Sequence, residues 1–244
     1  MTKATPPPAP AHADLAVILA GAGEGVRMEG LGPKLLLPLA GRTLLERVAS
    51  TFLAHPAVGE IVVAVPERLV TDASRVIESL PNPRRVPCRV VSGGATRQHS
   101  VAIAIRSLTR ELRMVAIHDV ARALVRADLV TRVLEAARRD GAAIPALPVR
   151  DTIKEVDGNR VARTVPRAGL AGAQTPQIFT RDMMLHALAA AEASGLDATD
   201  DAALVEETGS GDVTVVSGDP TNLKLTEPSD VTLFEAMIRS LERA

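Results

Sequence analysis

Short apolar runs alternate with amphipathic segments along the first half of the chain, and this alternation limits the fold more than any other feature of the sequence. The apolar runs have the length of strands, are rich in Val and Ile, and cover residues 15–20, 60–65, 88–93 and 114–119. The segments between them carry apolar residues three and four apart, as helices do, and cover 43–55, 66–80 and 96–110. This order of elements predicts an α/β domain with a mostly parallel sheet covered by helices on both faces.

The alternation is interrupted once, between about Pro145 and Gln177. Here the sequence VDGN, residues 156–159, is a hairpin-turn signal between two runs of alternating polar and apolar residues. The pattern predicts a protruding β-arm at about 147–175, too short to have a core of its own. Arms of this kind are commonly stabilised by a second copy of the chain, so we expect a homodimer formed through the arm. Beyond the arm, the pattern predicts helices over 181–193 and 200–208, a strand over 212–217 and a closing helix from about Glu227.

The composition is typical of one soluble domain. The chain has 244 residues, of which 46% are hydrophobic, enough for a single core over residues 14–244. A formal net charge of -1 does not suggest nucleic-acid binding, and no apolar stretch reaches the ~20 residues of a membrane-spanning helix. The proline-rich residues 1–13 are expected to be a disordered tail rather than a signal peptide. Cys88 is the only cysteine, which excludes an internal disulfide and favours a cytoplasmic location.

The ends of the predicted strands indicate where a ligand would bind. In a mostly parallel sheet ligands lie at the carboxyl ends of the strands, which directs attention to the loops after Ala20, Val91 and Ile117. Two of these loops contain glycine pairs or triplets, and the third contains an acid.

The first loop begins AGAGEGVRM and continues to GPK. It is not a dinucleotide fingerprint, because Val26 stands at the third glycine position, and it is not a Walker A loop, because Gly30 is followed by Leu31 rather than by lysine. Glycine amides together with Arg27 and Lys34 suit charge stabilisation on a polyphosphate more than proton transfer. An ordinary turn with solvated basic residues is the alternative that the loop alone leaves open.

Several motifs, taken together, resemble those of a known family. The first loop resembles the signature of the sugar-nucleotidyltransferases. The later segments are similar to those of the 2-C-methyl-D-erythritol 4-phosphate cytidylyltransferases, in the same order and at close to the same spacings: GGATRQHSV (93–101), HDVAR (118–122), RDTIK (150–154), QTPQIF (174–179), TDDAALVE (199–206) and NLKLTEPSD (222–230). The resemblance covers nearly the whole chain from about residue 14, and it implies a Rossmann-like three-layer fold. The sequence departs from the family pattern at Val120 and Ala123, where alanine and proline are usual, and after Leu170, where an aromatic residue is often found.

The resemblance also implies a role for each matching residue. The expected catalytic residues, whose charges would stabilise the phosphates, are Arg27, Lys34, Arg167 and Lys224. The expected nucleotide-binding residues are Gly21, Ala22, Gly23, Gly93, Gly94, Ala95, Ser100, Asp119, Val120 and Lys224. The acceptor substrate would be held, in part across the dimer through the arm, by Asp119, Arg122, Thr152, Arg167, Thr175 and Thr199. Asp119 is also the residue expected to lie near Mg²⁺ or another divalent cation.

The implied reaction transfers CMP from CTP to 2-C-methyl-D-erythritol 4-phosphate and releases pyrophosphate, a step of the non-mevalonate route to isoprenoid precursors. The acceptor phosphate is already an anion at neutral pH, so it needs positioning in line with the α-phosphate rather than a general base. A cytidylyltransferase for another polyol phosphate, such as ribitol 5-phosphate, and a non-catalytic nucleotide-binding subunit are the alternatives.

Some of the same residues have a purely structural interpretation. Asp119 also suits a cap for the segment that follows it, and Thr199 and Asp200 suit the N-cap of a helix. His118 is expected to pack or to hydrogen-bond, because attack by a phosphate does not require a base. Arg97 is interpreted as the start of a helix and is not assigned to catalysis.

Overall fold

The computed structural model describes residues 13–22 and 32–241. Most of the predicted tail, and the predicted site residues Gly23 and Arg27, therefore lie outside the described residues. The strands are β1 (Leu15–Ala20), β2 (Pro38–Leu39), β3 (Arg42–Thr43), β4 (Val58–Val65), β5 (Cys88–Ser92), β6 (Met114–Asp119), β7 (Ala142–Pro148), β8 (Ile153–Asp157), β9 (Arg160–Val165), β10 (Ala171–Ala173), β11 (Gln177–Thr180) and β12 (Thr214–Ser217). The α-helices are α1 (Leu44–Ala54), α2 (Val70–Ser79), α3 (Arg97–Arg106), α4 (Ala127–Asp140), α5 (Arg181–Ser194), α6 (Asp201–Glu207) and α7 (Asp230–Leu241). Short 3-10 helices cover Lys34–Leu36 and Glu67–Leu69.

The central sheet contains eight of these strands, in the order β10, β7, β11, β6, β1, β4, β5, with β12 paired to β7. β1 pairs in parallel with β4 and β6, and β4 pairs in parallel with β5, so the carboxyl ends of these four strands meet at one edge. β11 runs antiparallel between β6 and β7. The predicted α/β class with a mostly parallel sheet is confirmed.

The sheet is buried on both faces. Side chains of β1 alternate between two apolar clusters, with Leu15, Val17 and Leu19 in one and Ala16 and Ile18 in the other. Helices α1, α2, α4 and α7 contribute to the first cluster, whereas α3, α5 and α6 contribute to the second. The three-layer arrangement is therefore confirmed, and it explains why the central strands are continuous apolar runs in the sequence.

The helix predicted over 96–110 ends earlier, at Arg106, because a side chain from the sheet accepts hydrogen bonds from the backbone beyond it. The carboxylate of Glu60, which β4 buries almost completely, accepts hydrogen bonds from the backbone N–H groups of Thr109 and Arg110 at 3.0 and 2.9 Å. These bonds compete with further helical bonds, and they come from a residue far away in the sequence. No local pattern could therefore place this boundary.

The arm is a β-hairpin, as the sequence VDGN predicts. β8 and β9 pair antiparallel, with Asp157 opposite Arg160 and Gly158 at a φ of 57° in the turn between them. Its strands are mostly exposed, including the large apolar side chains of Val156 and Val161 at 63% and 61%. A two-stranded hairpin with no covering surface is marginally stable in water, so the arm is the part of the fold that most needs a partner. The predicted dimer stays a prediction.

Arg84 ties the end of α1 to the start of β4. Its guanidinium donates to the backbone carbonyl oxygens of His55, Pro56 and Val58, the last two at 2.7 and 3.1 Å. We expect Arg84→Met to lower the free energy of unfolding by about 2–3 kcal/mol, because three carbonyl groups lose a charged donor. Urea denaturation measures this change. The control Arg75→Met, which removes an exposed ion pair from α2, should cost less than about 1 kcal/mol, and equal losses in the two variants would contradict the argument.

Candidate active site

A cleft of about 380 Å³ opens at the carboxyl ends of β1, β4 and β6. This is the edge of the sheet at which the sequence predicts a ligand. The lining includes apolar residues from the 3-10 segments and α1, small residues from the strand ends, and five charged residues, which are Lys34, Arg68, Arg97, Asp119 and Lys224. Among the predicted site residues, those that line the cleft are Gly21, Ala22, Lys34, Ser100, Asp119, Val120 and Lys224.

Gly93 allows a close contact between the first and second glycine loops. A Cβ placed on Gly93 would lie 2.6 Å from Ala22 Cβ and 2.7 Å from Ser100 Oγ, which is closer than real Cβ atoms approach other atoms. Ser100 Oγ accepts a hydrogen bond from the backbone N–H of Gly94 at 3.0 Å and donates to the Thr96 carbonyl at 2.8 Å. The hydroxyl that was expected to contact a nucleobase therefore also fixes the loop that begins α3.

Four charged side chains of alternating sign form a row of ion pairs that reaches the cleft. Lys224 Nζ lies 2.7 Å from Asp119 Oδ2, and Arg97 Nε lies 3.2 Å from Asp119 Oδ1. On its other side, Arg97 Nη2 lies 2.6 Å from Asp201 Oδ2. Burial alone would raise the pKa of Asp119, but the charges of Arg97 and Lys224 outweigh it and hold that pKa well below its usual value. Asp119 is therefore an anion at neutral pH.

His118 is a fully buried hydrogen-bonding residue next to Asp119. Its Nδ1 accepts from Thr175 Oγ1 at 3.0 Å, the same oxygen accepts the backbone N–H of Asp119 at 3.1 Å, and its Nε2 donates to the Arg122 carbonyl at 3.2 Å. The tautomer follows from this network. Burial lowers the pKa of His118 to about 4, so the ring is neutral at pH 7. Because both ring nitrogens are bonded, His118 is suited to holding the Asp119 backbone and not to acting as a base.

Arg122 is fixed by backbone carbonyl groups beside the cleft. Its Nη1 donates to the Asn222 carbonyl at 2.9 Å, and its Nη2 lies 3.3 Å from the Ala173 carbonyl. Its Nε is buried and has no partner among the described residues. Burial lowers the pKa of Arg122 as well. The predicted role of Arg122 and Thr175 in binding the acceptor stays a prediction.

Of the six predicted substrate-binding residues, only Asp119 lines the cleft; Arg122 and Thr175 lie beside it, and the other three lie in the arm and before α6. Thr152 and Arg167 flank the hairpin strands of the arm and are exposed, and the Arg167 guanidinium donates to the Arg150 carbonyl. Thr199 is exposed directly before α6, whose N-cap is Asp200. The positions of Thr152 and Arg167 are compatible with contact to a second chain, and their role stays a prediction.

The sequence patterns missed Arg97 and Asp201 as parts of this site. Arg97 does begin α3, as predicted, but its guanidinium also bridges two carboxylates. Asp201 is 2% exposed in the first turn of α6. The two residues are 104 positions apart, so only the tertiary structure brings them together.

Asp119 is the carboxylate of the cleft that suits a divalent cation. Among the described residues, no three His, Cys, Asp or Glu side chains form a group that could hold a metal ion. Mg²⁺ does not require such a group, since one or two carboxylates, phosphate oxygens and water commonly complete its coordination. An ionised Asp119 at a cleft with Lys34 and Lys224 fits this kind of site.

An α/β domain whose parallel strands end at a glycine-bordered cleft, with cations around an ionised aspartate, has the features of a nucleotidyltransferase. The sequence matches the family IspD, 2-C-methyl-D-erythritol 4-phosphate cytidylyltransferase, over residues 15–240. This chain belongs to that family, and the predicted family and enzyme class are confirmed. In the described part of the chain, no helix has the length and apolar character needed to cross a membrane.

Similar proteins match along almost their whole length. The 2-C-methyl-D-erythritol 4-phosphate cytidylyltransferase of Thermus thermophilus is 41% identical over 230 residues, which are 93% of this chain and 98% of that protein. Its crystal structure has a TM-score of 0.75 to this chain at 39% identity, covering 92% of this chain and 98% of the other. The structure of 4-diphosphocytidyl-2C-methyl-D-erythritol synthase from Anaerococcus prevotii has a TM-score of 0.79 at 26% identity, with the same coverage.

Proposed function

We propose that this chain transfers CMP from CTP to 2-C-methyl-D-erythritol 4-phosphate and releases pyrophosphate. The observation that carries the proposal is the cleft itself, in which Lys34 and Lys224 lie with the ionised Asp119 at the strand ends. The identity of the two substrates is inferred from the family to which the chain belongs. A cytidylyltransferase for another polyol phosphate would use the same nucleotide half of the site, and therefore the acceptor is what an assay must settle.

The chemistry follows from charge and position. An oxygen of the acceptor phosphate attacks the α-phosphate of CTP, a new P–O bond forms, and the bond to the pyrophosphate breaks in line with it. No proton has to be removed from the nucleophile, which agrees with a neutral, fully bonded His118 in place of a base. Lys34 and Lys224, together with Arg27, reduce the repulsion between the two phosphate groups and stabilise the charge that develops.

We further propose Mg²⁺, or another divalent cation, as the cofactor. Asp119 would hold it, with phosphate oxygens of CTP, because this carboxylate is ionised and lies at the cleft. When bound, the cation neutralises phosphate charge. Lys224, whose side chain is 44% exposed, has room to exchange its contact with Asp119 for one with a phosphate.

The acceptor half of the site is proposed to form between two chains. Thr152 and Arg167 lie on the arm, outside the cleft of their own chain, and the arm exposes Val156, Val161 and Leu170. A homodimer that covers these side chains would bring Arg167 to the acceptor phosphate in a neighbouring cleft, where a guanidinium can bind two oxygens at once. The cytoplasmic location stays a prediction.

Pyrophosphate release by the purified chain tests the proposed function. CTP and Mg²⁺ are supplied with either 2-C-methyl-D-erythritol 4-phosphate or ribitol 5-phosphate, and Arg27→Ala is the inactive control. Release with the first acceptor, lost in the control, is expected. Release with ribitol 5-phosphate alone would overturn the acceptor, and CTP binding without release would favour the non-catalytic subunit.

Gly93→Ala is expected to weaken CTP binding by about tenfold or more. The added methyl group would lie 2.6 Å from Ala22 Cβ and would push the first loop away from the second, a clash of the kind that costs about 1–3 kcal/mol. Calorimetric titration with CTP measures the affinity. The matched control is Gly172→Ala, where the nearest atom to the new Cβ is 3.9 Å away. Unchanged CTP affinity in the Gly93 variant would contradict the predicted role of this loop.

A further inference from the structure

Asp201 and Arg97 form an ion pair to which the proposed reaction gives no role, although Arg97 is one of the residues that line the cleft. Asp201 is 2% exposed in α6, and its Oδ2 accepts from Arg97 Nη2 at 2.6 Å. Arg97 stands at the start of α3, and its Nε donates to Asp119 Oδ1 at 3.2 Å. The guanidinium of Arg97 thus joins the carboxylate of Asp201 in α6 to the carboxylate of Asp119 in the cleft.

The geometry of this link restricts Asp119. A guanidinium is planar and rigid, so a carboxylate at Nε and another at Nη2 together fix its orientation. Asp119 Oδ1 is then held by Arg97, and Oδ2 is the oxygen that meets Lys224 at 2.7 Å. The backbone of Asp119 is held separately, through Thr175. The backbone and the side chain of Asp119 are therefore anchored by different parts of the fold.

The cost of burial indicates that the link does more than hold two helices together. Asp201 is removed from water almost completely and Arg97, whose side chain is 32% exposed, is removed in part, which is expensive. Ion pairs that are buried are often no more stabilising than well-packed apolar residues of similar volume. The exposed pair Arg106 and Glu192 already joins α3 to α5 at 2.6 Å without that cost. A pair with a buried carboxylate and a guanidinium that meets Asp119 at the cleft is better explained by what it does to Asp119.

We propose that Asp201 is a positioning residue that acts through Arg97, fixing the carboxylate of Asp119 so that Oδ2 stays directed into the cleft, where Lys224 meets it. This inference rests on the proposed function and deepens it. Once Lys224 moves to a phosphate, Arg97 remains as the ion-pair partner of Asp119 among the described residues, and Asp201 keeps Arg97 in place.

The first test is Asp201→Asn, which keeps the shape of the side chain and removes its charge. We expect kcat for pyrophosphate release to fall about 10- to 100-fold, because small errors in the position of a charged group are costly in the reaction. KM for CTP should stay within about twofold, since the lost effect is on the transition state rather than on binding. Unchanged kcat, or a rise in KM for CTP with kcat unchanged, would overturn the proposal.

A second variant separates positioning from folding. The double substitution Arg97→Met with Asp201→Leu replaces the pair by apolar side chains, while Asp119 keeps Lys224 as its ion-pair partner. The thermal unfolding midpoint is therefore expected to stay near that of the wild type. If the pair positions Asp119, kcat stays at least about tenfold low in this stable variant. If the pair only supports the fold, kcat returns to the wild-type value and the proposal fails.

The matched control removes the other ion pair of the same helix. Arg106→Gln with Glu192→Gln deletes an exposed contact of equal length, and it should leave both kcat and KM at wild-type values. A loss of kcat in this control equal to that in Asp201→Asn would overturn the inference. Failure of the wild-type chain to release pyrophosphate from CTP with either acceptor would overturn the proposed function, and this inference with it. Wild-type turnover with unaffected variants would overturn this inference alone.

Discussion

Lys224→Ala is expected to lower kcat for pyrophosphate release by about 10²- to 10³-fold while the fold is retained. Lys224 Nζ lies 2.7 Å from Asp119 at the cleft, and its side chain is 44% exposed, so little packing is lost with it. Its charge is needed where negative charge builds up between the α-phosphate and the leaving pyrophosphate. The measurement is steady-state kinetics with CTP, 2-C-methyl-D-erythritol 4-phosphate and saturating Mg²⁺.

The control for this prediction removes a cation of similar exposure away from the cleft. Arg239 lies on α7, where it pairs with Glu235 at 3.6 Å, and Arg239→Ala should leave kcat unchanged. Lys224→Arg keeps the positive charge and should retain more activity than the alanine variant. A Lys224→Ala enzyme that is as active as Arg239→Ala would remove Lys224 from the catalytic residues.

The central sheet could be predicted from the sequence because its strands are buried on both faces. β1 and β6 have the predicted bounds, since a strand enclosed by two helical layers is a continuous apolar run with a clear end. β11 could not be predicted in this way, because it has four residues and begins with Gln177. Gln177 is buried only because its side chain bonds Asp200 Oδ2 at 2.7 Å and the Ala202 N–H at 2.9 Å. A polar residue that is satisfied by distant partners leaves no local pattern.

Some parts of the candidate site could likewise be predicted from the sequence, and others could not. Asp119 ends an apolar strand and Lys224 belongs to a family motif, so both could be identified from the sequence. The environment of Asp119 could not be identified, because Arg97 and Asp201 belong to different helices and meet only when α3 and α6 pack on the same face of the sheet. Ion pairs between residues far apart in the sequence depend on tertiary distances, which motif spacing does not record.

The arm leads to the second large expected effect, which concerns mixtures of inactive chains. Lys34→Ala and Arg167→Ala should each lower kcat by about 10²-fold or more when present in every chain. If Arg167 serves the cleft of its neighbour, a mixed dimer of the two variants contains one intact site, made from the Lys34 of one chain and the Arg167 of the other. Random pairing makes about half of the dimers mixed, so co-expression should restore about a quarter of the wild-type rate.

A second mixture provides the control, because Lys34 and Lys224 both line the cleft of one chain. Lys34→Ala mixed with Lys224→Ala leaves every cleft damaged and should restore no activity, whatever the arm does. Recovery confined to the first mixture would place the arm of one chain in the site of the other. If sedimentation shows that the first mixture contains mixed dimers and no activity is recovered, Arg167 serves the cleft of its own chain. If sedimentation shows only monomers, the predicted dimer is wrong. The dimer is the expected result because Val156 and Val161 lie exposed on an arm that has no core of its own, and a second chain would cover them.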